Sequence, residues 1–273
     1  FPPYNKKMIE NISQLPPWTF TLVGLVFGLM VGSFANVCIS RLPQKQSVVF
    51  PASHCPKCNK PIHVMDNIPL ISYILLKGQC RNCKQKISLI YPAIELVTGL
   101  LMAAVFYRFG FSWECLIFAI VVPALVIITV IDIEHQIIPD VITLPGIVFG
   151  LAAGSYLNGW LDSVIGLALG GGMFWLLAEG YFRIRGKMGM GGGDIKYIAA
   201  AGALMGWAQV LFIIFIGALA GGIFGGIGMG VKKLNFLSRI PFGPFLALAT
   251  LISIFFGDLI VDWYLNLVSL QPL

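Results

Sequence analysis

Charge is what this sequence has least of. Only 11% of its 273 residues are Asp, Glu, Lys or Arg, and the acids number 12. A water-soluble domain of this length carries about a quarter charged residues, so that class is excluded. What fills the chain is apolar: 58% hydrophobic residues and a mean hydropathy of +0.87. A small-residue cleavage site is also missing after the first apolar run, which therefore reads as a retained helix and not a signal peptide. No P-loop lysine follows the glycine-rich stretch near residue 190, and no soluble strand precedes it, which argues against phosphate cradling.

The expected fold is an all-α polytopic membrane protein of about eight transmembrane helices, because the apolar runs are each roughly 20 residues, enough for a ~30 Å hydrocarbon core. The first follows Trp18 and reaches about Val37. The others lie near Ala93–Phe109, Cys115–Ile131, Ile137–Tyr156, Val164–Phe182, Ile195–Trp207, Val210–Val231 and Phe242–Ile260. Eight helices put 15 of the 18 basic residues on loops of one side; only Lys6, Lys7 and Arg108 fall opposite. Basic loops stay in the cytoplasm, so both termini are expected to be extracytoplasmic, and the net charge of +6 reports topology, with no nucleic-acid partner. Glycines at small-residue spacing, such as Gly217, Gly221 and Gly225, let helix backbones approach closely.

Four of the six cysteines form two knuckles, Cys55-x-x-Cys58 and Cys80-x-x-Cys83, in the one substantial polar loop, about 41–91. Each knuckle turns two thiolates to one side of a tetrahedral ion, and four sulfurs leave no position for water, so the expected site is structural Zn2+. A pair of disulfides is the competing reading, disfavoured in a reducing cytoplasm. His54 and His63 are nearby alternative ligands. Cys38 and Cys115 read as small buried hydrophobes.

Acids at membrane depth are costly and mark function. Asp194 closes Gly189-Met-Gly-Gly-Gly-Asp194, and from there to Trp207 runs about 20 Å of helix at ~1.5 Å per residue, roughly 10 Å short of the apolar core. With Trp207 at the outer interface, Asp194 stands in a watery cleft below the inner boundary. Asp132 ends the third run at the same depth, beside Glu134 and Asp140. Two carboxylates sharing a site divide a proton, one activating water and the other polarising a carbonyl, with no metal required. Helix capping by Asp194 and a solvated loop role for Asp132 are the plain alternatives. Depth does not rank Asp132 above Asp140.

Taken in order, Gly32-Ser-Phe-Ala-Asn-Val-Cys-Ile-Ser-Arg-Leu-Pro43, the two cysteine knuckles, Asn67-Ile-Pro-Leu-Ile-Ser72, Tyr91-Pro-Ala-Ile-Glu-Leu96, Ile131-Asp132 through Pro139-Asp140 and Gly191-Gly-Gly-Asp194-Ile-Lys196 resemble the type IV prepilin peptidase family, a branch of the Gly-x-Gly-Asp intramembrane aspartyl proteases. The resemblance covers about Gly24 to Gly243. It implies a catalytic pair of Asp132 and Asp194, with Asp140, Gly191, Gly193 and Lys196 auxiliary. It further implies cleavage of type IV prepilins or type II secretion pseudopilins after a glycine, at the cytoplasmic face of the bacterial inner membrane. N-methylation of the new terminus by S-adenosyl-L-methionine follows, with Gly78 and Glu95 supporting it.

The implied organisation is a short extracytoplasmic segment at 1–17, a methyltransferase-associated part at 18–110 and a protease core at 111–273. One departure is Ile138, where the family commonly has leucine. No soluble methyltransferase fold fits in the chain. A transporter and a zinc-anchored secretion scaffold are the rival classes. Lipid is an expected partner in every case.

Overall fold

The computed structural model describes residues 16–187, 189–230 and 240–269. The expected extracytoplasmic start at 1–15, with Lys6 and Lys7, the basic residues Lys232, Lys233 and Arg239, and the end at 270–273 lie outside the described residues.

Among those described, the long elements are all helical. They are α1 (Pro17–Arg41), a short α2 (Ile71–Leu75), α3 (Ile90–Phe109), α4 (Trp113–His135), α5 (Asp140–Leu157), α6 (Trp160–Arg185), α7 (Gly192–Gly230) and α8 (Gly243–Ser269). Helices α1, α3, α4, α5, α6 and α7 are long and apolar enough to cross a membrane, and α8 holds a shorter apolar stretch, Gly243–Gly257. Helix α7 is two segments joined at Gly206, whose φ of 82° and ψ of 174° are not helical. Counted that way, the described residues contain the eight long helical segments expected from the runs. The expected gap between the runs ending at Trp207 and starting at Val210 is a single glycine.

Backbone contacts divide the chain within α4, after Ile127. In the first unit, Gly24, Gly28 and Gly32 make a stripe on α1 that faces α3. A Cβ on Gly32 would stand 2.8 Å from the Glu95 Cα, and one on Gly28 2.9 Å from the Gly99 Cα. Such close backbones are how helices pack where lipid removes the hydrophobic drive for association. Helix α1 continues past Val37 to Arg41 because its polar tail finds partners: the Asn36 amide donates to the Tyr91 carbonyl (3.1 Å) and Arg41 to the Ser47 carbonyl (3.0 Å).

In the second unit the half-helix 192–205 is clasped by glycines of its neighbours. Cβ atoms on Gly150 of α5 and Gly170 of α6 would lie 2.8 Å from the Ala200 carbonyl and 2.6 Å from the Ile198 carbonyl. The break at Gly206 frees the last carbonyls of this half from their usual intrahelical donors. Side chains replace those donors: Ser163 Oγ donates to Ala203, and Asn158 Nδ2 donates to Leu204 at 2.9 Å. Only glycine occupies that backbone region readily. The half-helix is 14 residues long, about 21 Å at 1.5 Å per residue, shorter than the ~30 Å of an apolar core. Helix α8 packs on both halves: Tyr197 Oη of the first donates to Thr250 Oγ1 (2.8 Å), whose own proton goes to the Leu246 carbonyl, and Ser253 Oγ donates to Gln209 Oε1 of the second (2.7 Å).

Candidate active site and metal centre

Asp132 lies one turn before the end of α4 and is buried at 5% exposure. Its Oδ2 accepts the Gly243 N–H at 2.8 Å. Gly243 opens α8, where the first N–H groups of any helix lack intrahelical partners. Pro244 has no N–H, and the Phe245 and Leu246 amides donate to the Phe242 carbonyl. The Gly243 amide is thus given over to Asp132, at the positive end of the α8 dipole. A Cβ on Gly243 would lie 2.7 Å from that same oxygen, so a side chain here would displace the carboxylate or the start of α8.

Asp194, third residue of α7, is half-buried and close enough to Asp132 for the two charges to interact. Its amide donates to the Gly191 carbonyl at 3.2 Å, and a Cβ on Gly191 would stand 3.3 Å from its Oδ2. Gly193 lets this turn settle on Ile138, where a Cβ would come within 2.9 Å of the Ile138 Cβ. Lys196 Nζ donates to Asp140 Oδ1 at 2.7 Å, tying the start of α7 to the start of α5. Both partners are part-exposed, so the pair orients more than it stabilises. Gln136, at φ 54°, closes α4 by donating to the Asp132 carbonyl. Asp132, Asp194, Asp140, Lys196, Gly191 and Gly193 are therefore gathered at one end of the second unit. Gly243 is the member that residue types did not flag.

In the first unit, the four sulfurs of Cys55, Cys58, Cys80 and Cys83 lie within 4.8 Å of one another. The Cys55 and Cys83 sulfurs are 3.8 Å apart, and no cysteine is disulfide-bonded. A tetrahedral ion with ~2.3 Å bonds to sulfur separates its ligands by about that distance. The knuckles repeat one backbone plan. Cys55 and Cys80 accept the amides of Asn59 (2.8 Å) and Lys84 (3.0 Å), both at positive φ, and their own amides donate to the Lys60 and Gln85 carbonyls.

The Cys58 and Lys57 amides pull the Cys55 thiol down to about 6. Cys80 is lowered by the Cys83 and Asn82 amides. Cys83 has the Gln85 amide in its favour, yet burial and the neighbouring sulfurs push it up to about 11. Four thiolates this close repel one another unless a cation sits among them. His54 and His63 serve the loop backbone instead, His54 against the Ala52 carbonyl and His63 accepting the Met65 amide. Arg81 grips Asp66, bracing the second knuckle and holding that carboxyl below its ordinary range.

Gly78 (φ 66°) sits at the foot of the second knuckle, where a Cβ would meet Tyr73 Oη at 2.8 Å. Glu95 Oε2 accepts the Leu70 amide at 2.9 Å, holding a residue that itself has positive φ.

A helical membrane bundle that brings two carboxylates to one end, with a separate tetracysteine module, defines the class. The comparisons name its branch. The family model described as Bacterial Peptidase A24 N-terminal domain matches residues 26–109, and the model described as Type IV leader peptidase family matches 116–226. Curated relatives named Prepilin leader peptidase/N-methyltransferase include one from Aeromonas salmonicida, 37% identical over 280 residues that cover 92% of this chain and 95% of the relative. Others are from Neisseria gonorrhoeae (36% identical, 94% and 99% covered) and Pseudomonas aeruginosa (35%, 92% and 95%). No solved structure matches the chain. The chain belongs to the type IV leader peptidase family.

Proposed function

We propose that this protein cleaves the leader of type IV prepilins or type II secretion pseudopilins after a glycine, with Asp132 and Asp194 as the catalytic pair, and then N-methylates the new terminus. The observation that carries the cleavage reading is the approach of these two carboxylates, with one oxygen of Asp132 pinned by the Gly243 amide.

The hydrogen bond from the Gly243 amide favours the ionised form of Asp132, which suits it as the base. Asp132 takes a proton from water, and the water oxygen attacks the scissile carbonyl. Asp194, holding the shared proton, donates it to the carbonyl oxygen. As the tetrahedral intermediate collapses, one of its hydroxyls returns a proton to Asp194, the C–N bond breaks, and the proton gathered by Asp132 goes to the leaving amine. Gly191 leaves the Asp194 carboxylate uncovered for an extended substrate, Gly193 seats the turn on Ile138, and Lys196 with Asp140 orients the mouth.

Basic loops argue for a site and cysteine module on the cytoplasmic side of the inner membrane, with both termini opposite. We assign 18–110 to methylation and 111–273 to proteolysis, with the extracytoplasmic segment at 1–17. S-adenosylmethionine would supply an electrophilic methyl group to the new amine; Glu95 and Gly78 support that activity by shaping the first unit. The decisive measurement is mass spectrometry of a candidate pilin's N-terminus from cells with and without this protein. The expected pilin has lost its leader and gained 14 Da; an intact leader in both cells rejects the proposal.

Zinc fits Cys55, Cys58, Cys80 and Cys83, which as thiolates would close a tetrahedral site and fasten a loop too small to build its own core. Elemental analysis is expected to give about one zinc per chain, and Cys80→Ser to lower it together with loop protection from protease. A folded, protease-resistant preparation free of zinc would reject a structural zinc.

A further inference from the structure

Between the C-terminal half of α1 and the segments 48–53 and 67–69 lies a cavity of about 350 Å³. Its wall is apolar at Met30, Phe34 and Val49 and polar at Ser33, Arg41 and Asn67. That size and mixture are those of a small-molecule site.

Arg41 decides the kind of molecule. The residue is only 9% exposed. One of its N–H groups is occupied, Nη1 donating to the Ser47 carbonyl. The first unit has three carboxylates among its described residues, and none pairs with it. Asp66 binds Arg81, Glu95 accepts the Leu70 amide, and Glu114 stands in the first turn of α4. A buried guanidinium without a counter-charge is costly, and its planar fork matches a carboxylate or phosphate. The cavity beside it is the route by which an anion reaches it.

We propose that this cavity binds S-adenosylmethionine, with Arg41 taking the amino-acid carboxylate in paired N–H···O bonds and the Met30–Phe34 wall bedding the apolar part of the molecule. The inference rests on the methyltransferase reading above. It also gives Glu95 a definite part: the Ser33 hydroxyl lies within reach of its carboxylate, and the Leu70 amide it holds follows Pro69 of the cavity wall. Glu95 is a positioning residue, fixing both sides of the cavity.

The test is calorimetric titration of the full chain in detergent with S-adenosylhomocysteine and with methylthioadenosine, which lacks the amino-acid part. Arg41→Gln is expected to weaken S-adenosylhomocysteine at least tenfold and leave methylthioadenosine within twofold. Val49→Trp, which fills the cavity, should weaken both. Melting temperatures check that each variant is folded; if Arg41→Gln is not, Val49→Trp carries the test. Binding of neither compound to the wild type rejects the methyltransferase reading itself. Wild-type binding that both variants retain overturns the cavity while leaving that reading intact. Anionic phospholipid retained by the wild type and lost from Arg41→Gln, with S-adenosylhomocysteine affinity unchanged, also overturns it, by placing a headgroup there.

Discussion

Replacing either Asp132 or Asp194 with Asn is expected to lower prepilin cleavage by about 10²–10⁴-fold, the usual span for removing a general acid or base. Under the proposed shared-proton chemistry the double variant should lose little more than either single one. Asn is nearly isosteric, so the folded helices should survive and the substrate should still bind. A purified enzyme scored on leader removal and on pilin binding measures both. Undiminished cleavage by both single variants would defeat the proteolytic pair. Asp140→Asn separates the neighbouring acid: its exposed pairing with Lys196 predicts a loss of no more than about tenfold, consistent with a surface ion pair of up to ~1 kcal/mol.

Gly243→Ala is the second large effect. The added methyl would sit 2.7 Å from Asp132 Oδ2 and 3.2 Å from its Cγ, so the carboxylate or the start of α8 has to move. A shift of about 1 Å at a reacting group is worth roughly 10² in rate. The expected result is a kcat about a hundredfold down with KM little changed, because the residue touches the carboxylate proposed as catalytic. A rise in KM with kcat preserved would instead mean that Gly243 shapes the substrate path, and the pinning role would be wrong.

Much of this was legible in the residues, for identifiable reasons. Apolar runs report helices because lipid permits few other backbones, so the eight segments are visible without tertiary information. The cysteine knuckles are visible because metal geometry dictates their spacing. Gly243 is not visible in that way: its contribution is a backbone N–H, and only the placement of α8 against α4 reveals it. The bond between Lys196 and Asp140 spans 56 positions and depends on how α5 and α7 meet. The cavity beside Arg41 is built from loop segments with no periodicity, and its signal is a missing counter-ion, which a linear sequence does not display. The closing of the gap between Trp207 and Val210 depends on one residue's backbone torsions, and Gly206 looks like any other of the 31 glycines.

The shortened half-helix ending at Gly206 has a bearing on which proteins can be cut. On the proposed reading, an acid suspended from a 14-residue segment works short of a full crossing, at a depth set by the clasps that hold the segment and not by bilayer thickness. A victim must therefore present a stretch that unwinds at that level while its remaining apolar helix stays in lipid. Selection by depth and by ease of unwinding would spare ordinary membrane helices, whatever residues flank them.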